Sequence, residues 1–177
     1  FASAERLRAQ GDYSDPHARG RDSAQLRGRF GATFAATPNL SVGLRLATGD
    51  PDDPNSTDVQ LSNWVDDLNV SLDLAYLQWR HDALTVYGGK FPQPFARTDL
   101  VWDGDVNPQG LGATWRRTLG SGSTLRLNGA LLLVDEQAAG ADSTMAGAQI
   151  GFDSPADRPW RVDLSAGWFD YHLGSVA

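Results

Sequence analysis

Apolar and polar residues alternate with a period of two along almost the whole chain, and a 3.6-residue helical period is hard to find anywhere. One segment sets Leu26, Gly28, Phe30, Ala32 and Phe34 against Gln25, Arg27, Arg29, Gly31 and Thr33. Others set Leu40, Val42, Leu44 and Leu46 against Ser41, Gly43, Arg45 and Ala47, and Leu68, Val70, Leu72, Leu74 and Tyr76 against Asn69, Ser71, Asp73 and Ala75. Further along, Leu125, Leu127, Gly129, Leu131 and Leu133 oppose Thr124, Arg126, Asn128 and Ala130, and Trp160, Val162, Leu164, Ala166 and Trp168 oppose Arg161, Asp163, Ser165 and Gly167. Segments around 5–12, 83–91, 109–118 and 144–153 follow the pattern less cleanly. The chain therefore predicts an antiparallel meander of about nine strands.

The connections alternate too. Short turns at Thr37-Pro38-Asn39, His81-Asp82 and Gly120-Ser121-Gly122 are separated by longer stretches at 13–22, 48–67, 92–108 and 135–143, rich in Asp, Gly, Pro and Asn. Short turns at one end and long loops at the other are the habit of up-and-down membrane barrels, whereas Greek-key sandwiches have no reason for it. Tyr76, Trp79, Trp115, Trp160, Trp168 and Tyr171 fall near strand ends, where aromatic girdles meet the membrane interface. One face of the strands is then lipid-facing Leu, Val and Phe, and the other a wetted wall of Arg, Asp, Asn, Gln, Ser and Thr. A half-buried sheet with one face in water gives the same alternation, and only the loops and the girdle separate the two readings.

Composition narrows the classes further. The 177 residues carry 15 Lys+Arg against 22 Asp+Glu, a net charge of -7, which disfavours a nucleic-acid partner. There is no Cys, so disulfides, thiolate metal sites and cysteine nucleophiles are excluded. The longest run of small or apolar residues, Gly129 to Val134, is too short for a membrane helix but not for a membrane strand, which needs only ~9–11 residues. His17, His81 and His172 are scattered, and no nucleophile elbow, phosphate loop or zinc motif is present, so the reading is of a non-enzyme without cofactor or metal. Asp103-Gly104-Asp105-Val106-Asn107 begins like a calcium loop, but Pro108 and Thr114 stand where that loop needs Gly and Glu. The acids Asp50, Asp52, Asp53, Asp58, Asp66 and Asp67 suit a solvated loop tip or divalent bridging of lipopolysaccharide phosphates.

Four segments resemble the outer-membrane porin family of Gram-negative bacteria: Gly43-Leu44-Arg45-Leu46-Ala47-Thr48-Gly49, Leu72-Asp73-Leu74-Ala75-Tyr76-Leu77, Gly88-Gly89-Lys90-Phe91-Pro92-Gln93-Pro94-Phe95 and Thr98-Asp99-Leu100-Val101-Trp102-Asp103-Gly104-Asp105. They cover roughly residues 26–111, and the last is the most specific; Leu74 and Gln93 depart from the family's usual Arg and Asn. The resemblance implies a barrel of sixteen or more strands that passes small polar solutes, with residues 1–177 a single β-barrel domain incomplete at its C-terminal side. The odd strand count agrees, since bacterial single-chain barrels have even numbers and water-filled channels appear at ~16–18 strands.

The expectation is thus an all-β, antiparallel up-and-down transmembrane β-barrel fragment of about nine strands, in the bacterial outer membrane. Its partners would be outer-membrane lipid, lipopolysaccharide and small polar or charged solutes, with homo-oligomerisation left open. Arg27, Arg29, Arg45, Asp73, Arg116 and Arg126 fall on the inferred pore-lining face, with Arg6 and Arg8 as additions from the first strand. A row of arginines opposed by carboxylates on an inward loop would set a transverse field in a channel. The alternative role for these arginines is to salt-bridge Asp73, Asp163 and other wall residues. Residues 92–108 are too long for a plain turn and would fold inward as a constriction loop carrying Asp99, Asp103 and Asp105. Two other functions fit the pattern: a β-sandwich that binds carbohydrate through its aromatic and acidic loops, or a non-conducting barrel serving as adhesin or assembly partner.

Overall fold

The computed structural model of the protein describes residues 8–10, 23–49, 57–60, 69–97, 102, 104–136, 141–155 and 157–174. Every regular element among them is a strand: β1 (Arg8–Gln10), β2 (Ser23–Leu26), β3 (Arg29–Ala35), β4 (Leu40–Thr48), β5 (Val59–Gln60), β6 (Val70–His81), β7 (Leu84–Lys90), β8 (Gln109–Thr118), β9 (Thr124–Asp135), β10 (Ser143–Asp153) and β11 (Asp163–His172). Eight of them form one sheet in the order β11-β10-β9-β8-β7-β6-β4-β3, and β1, β2 and β5 form a small second one. All neighbours pair antiparallel, and each strand of the large sheet lies beside the next of that sheet in the chain, so it is an up-and-down meander without crossovers. The sheet is not closed; β3 and β11 are its edges.

The strand expected across residues 25–34 is broken. Its two halves are β2, which joins β1 and β5, and β3, which joins β4. The break falls at Arg27-Gly28, where the Arg27 guanidinium turns to Asp58 and the Gly28 amide donates to Thr48 Oγ1 at 2.8 Å.

Burial is inverted relative to a water-soluble sheet. On the outer face Phe30, Phe34, Leu44, Leu72, Leu127 and Leu131 are exposed, at 44–70% of their surface. On the inner face Asp73, Thr85, Asn128 and Gln149 are buried at 9% or less. The outward alternation expected for β4 and β9 is present, and β10 follows it too: Ser143, Met145, Gly147, Gln149 and Gly151 point in, while Thr144, Ala148, Ile150 and Phe152 are exposed; β11, at the sheet edge, is exposed on both faces over 163–168.

Strand β6 corrects the expected facing. The β4–β6 register shifts between Arg45 and Leu46, so Asp73 and Leu74 together oppose Arg45. Both are buried on the inner side, at 6% and 5%. A bulge inserts one residue and reverses the phase of everything after it. Leu74 and Tyr76, expected to face lipid, therefore turn inward, and Leu77 and Trp79 take the outer face. Tyr171 pairs with the inward Met145 yet stays 52% exposed at the sheet edge. Trp79, Trp160 and Trp168 remain exposed.

Candidate functional site

The inner face is crossed by the segment that follows β7. It leaves the sheet at Phe91, whose amide donates to the Pro108 carbonyl at 3.0 Å, so the loop's two ends are clasped together. Two aromatic side chains dock it. Phe91 is fully buried over Gly112, and Phe95 is 3% exposed over Gly147. A Cβ on either glycine would stand under 3 Å from the ring above it, so these strand glycines are what let the loop lie flat. Phe91, Phe95, Ala130, Leu132 and Met145 form the buried apolar cluster, flanked by Tyr76, Tyr87, Trp102 and Phe169. Phe95 meets Phe169 edge-on at 5.0 Å and stacks on Trp102 at 6.2 Å, while Phe91 stacks on Tyr87 at 5.6 Å. Trp102 has φ +66°, a left-handed conformation that a bulky residue holds only under strain, and the aromatic contacts supply the compensation.

Polar bonds fix the loop at two places far apart in the sheet. The Gln149 side chain on β10 accepts from the Ala96 amide at 2.7 Å and from Asn128 Nδ2 at 3.2 Å. At the other end Asp105 ion-pairs with Arg29 and, at 3.2 Å, with Arg27. Asn107 Nδ2 donates to Asp73 Oδ1 at 2.5 Å, and Asp73 also pairs with Arg45. β10 and β3 are six strand spacings apart, about 29 Å along the sheet. Ala96 and Asp105, close in the chain, are thus tied to strands at these two places.

Of the residues singled out in the sequence, Arg27, Arg29, Arg45, Asp73, Arg116, Arg126 and Asp105 all lie on or against the inner face. Asp99, Asp103, Arg6 and the side chain of Arg8 lie outside the described residues, as do Asp50, Asp52, Asp53, Asp66 and Asp67. The arrangement differs from an open gap between acids and arginines. Asp105 touches Arg27 and Arg29 directly, and Arg27 also holds Asp58 by a two-pronged contact at 2.5 and 2.9 Å. Arg126 bridges Asp153 at 2.7 Å and Asp163 at 2.6 Å. The salt-bridging role is therefore realised for Arg45 with Asp73 and for Arg126 with Asp163. Arg116 has no carboxylate among the described residues within ion-pair distance.

Sequence reasoning missed Arg80. Plain alternation puts it on the outer face with Leu72, and only the Asp73-Leu74 bulge turns it inward, where it lines a cavity with Arg116 and Arg126. It also missed Gln149, the sheet-side anchor of the loop, because a buried glutamine looks like any other wall residue in a polar strand face. Among the described residues no three metal-ligating side chains come together, and no helix is long and apolar enough to cross a membrane.

An all-β meander with an apolar outside, a polar inside and a loop folded across the polar face defines the class of porin-like membrane β-sheet proteins. The sequence model of the family described as "putative porin" matches residues 10–174, nearly the whole chain, and the chain belongs to that family. No curated protein and no solved structure matches it.

Proposed function

We propose that this chain forms part of the wall of a water-filled channel in the bacterial outer membrane, through which small polar or charged solutes diffuse passively. The observation that carries the reading is the inverted burial: charged and amide side chains buried inside, large aliphatic and aromatic ones exposed outside. Such an outer face is favourable against hydrocarbon, and lipid and lipopolysaccharide would surround it. Arg27, Arg29, Arg45, Asp73, Arg116 and Arg126 are the proposed pore-lining residues. Residues 92–108 are the proposed constriction, with Asp99, Asp103 and Asp105 as its acids. The channel needs no catalytic group, since its solutes move down their gradients.

The test is conduction by the complete protein in planar bilayers. Wild type is expected to conduct. Asp105→Asn removes the carboxylate that Arg29 meets, while Arg27 keeps Asp58, so the lumen gains net positive charge and the reversal potential should move toward anion selectivity. Neutralising Asp99 and Asp103 as well should enlarge the shift. The effect should be greatest in dilute salt, where the screening length reaches ~30 Å at 0.01 M. A channel whose selectivity ignores all three acids does not have its constriction in this loop. A protein that never conducts is not a porin in function.

Orientation follows from the loop lengths. With short turns on the periplasmic side, cysteine at Ser121 should stay unlabelled when intact cells meet an impermeant thiol reagent. Cysteine at Asp52 or Ala139, both outside the described residues, should be labelled. The opposite labelling pattern reverses the topology.

A further inference from the structure

Charge is distributed unevenly on the two sides of the inward loop. On the Asp105 side, Arg27, Arg29 and Arg45 each meet a carboxylate. On the turn side, between the loop and strands β6 to β9, lies a cavity of about 560 Å³ lined by Arg80, Arg116 and Arg126. Arg116 and Arg126 stand directly opposite each other on neighbouring strands, a like-charge placement that destabilises a sheet unless something offsets it. Arg126 is offset by Asp153 and Asp163. Arg80 and Arg116 meet no carboxylate among the described residues, and the one acid lining the cavity, Asp82, is 88% exposed on the β6–β7 turn.

The loop contributes to the same cavity. Gln93 lines it, and both its side-chain amide atoms are shut off from solvent with no hydrogen-bond partner, as is Arg126 Nε. These atoms are closed to the cavity as well, so the neutral polar groups open to a ligand there are those of Tyr87, Thr114 and Thr118. The guanidinium fork suits a carboxylate, which it grips through two parallel bonds. The Tyr87, Thr114 and Thr118 hydroxyls are neutral groups that suit hydroxyls. The cavity's size falls in the range of small-molecule sites.

Resting on the channel reading, we propose that this cavity is a solute-binding subsite for small hydroxylated carboxylates, held by Arg80 and Arg116 at the carboxylate and by Thr114 and Thr118 along the hydroxylated body. The channel would then be enriched in such anions just past the constriction, on the side of the short turns.

The experiment uses the complete detergent-folded protein and gluconate as probe, with glucose and inorganic phosphate as comparisons. Calorimetry should give saturable gluconate binding, no binding of glucose, and at least tenfold weaker binding of phosphate, which lacks the hydroxylated body. Arg80→Gln and Arg116→Gln should each weaken gluconate at least tenfold, while Arg117→Gln, the next residue on β8 and on its other face, should not. Heat-modifiable mobility on gels verifies that each variant is folded. In bilayers, gluconate should interrupt the chloride current of wild type in a concentration-dependent way. A protein that conducts but binds no gluconate overturns the subsite and leaves the channel standing. One that binds gluconate through Arg80 and Arg116 yet never conducts overturns the channel and leaves the subsite. Equal affinity for phosphate overturns the hydroxylated class.

Discussion

Truncating Phe91 and Phe95 to Ala is expected to detach the 92–108 loop from the inner face and raise single-channel conductance. The two rings are the loop's largest buried side chains, at 0% and 3% exposure, and each removal should cost about 3–5 kcal/mol of docking and folding free energy. The costs will not add fully, since both rings belong to one cluster through Tyr87, Phe169 and the sheet beneath them. The remaining ties include Ala96 to Gln149, Asp105 to Arg29 and Arg27, and Asn107 to Asp73, polar bonds of about 1–3 kcal/mol each near the loop's two ends. Two readouts follow. Trypsin should cut faster at Arg97, which is exposed on the loop, and conductance should rise because the narrowest section controls resistance. Gly147→Val should act in the same direction with Phe95 intact, because the added side chain occupies the place of the ring. If conductance stays at the wild-type value while cleavage accelerates, the loop has moved and was not the constriction.

The second large effect belongs to the outer face. Leu44→Arg, Leu72→Arg and Leu127→Arg should each cost about 2–4 kcal/mol in a bilayer, the depth-dependent penalty for a cation on the lipid face of a barrel. Were this face in water, the same changes at residues 44–54% exposed would fall within about 0.5 kcal/mol of neutral. Folding titrations into lipid vesicles separate the two. The structure also revises what the inner face tolerates. Sequence alternation alone makes Arg45, Asp73 and Arg126 replaceable by Ala at little cost. Yet Asp73 is 6% exposed and holds both Arg45 and Asn107, so Arg45→Ala leaves a buried carboxylate with one partner fewer and should destabilise measurably. Asp163, 67% exposed at its side chain, remains a site where Ala should matter little.

Most of the strands were legible because a sheet with one apolar and one polar face leaves a period-two trace in every strand, and β4, β7, β8, β9 and β10 lie within a residue or two of where that trace puts them. The short turns were legible for a local reason as well: Thr37-Pro38-Asn39 and Gly120-Ser121-Gly122 carry residues that only tight turns favour. Three features escaped. The bulge at Asp73-Leu74 has no composition signal, and a single inserted residue moved Leu74, Tyr76 and Arg80 to the face opposite the one that alternation assigns. The split between β2 and β3 depends on Asp58 and Thr48, which are 31 and 20 residues away from their partners Arg27 and Gly28. The ion pairing of Asp105 depends on Arg29, 76 residues away in the chain. The sequence by itself therefore determined the strand class, the meander order and the two-faced chemistry, since these arise from local periodicity and turn propensity. Tertiary structure alone decided which arginines are neutralised and which stand open, because charge balance depends on distances between residues remote in the chain, and a one-residue change in register reverses the face on which a charge sits.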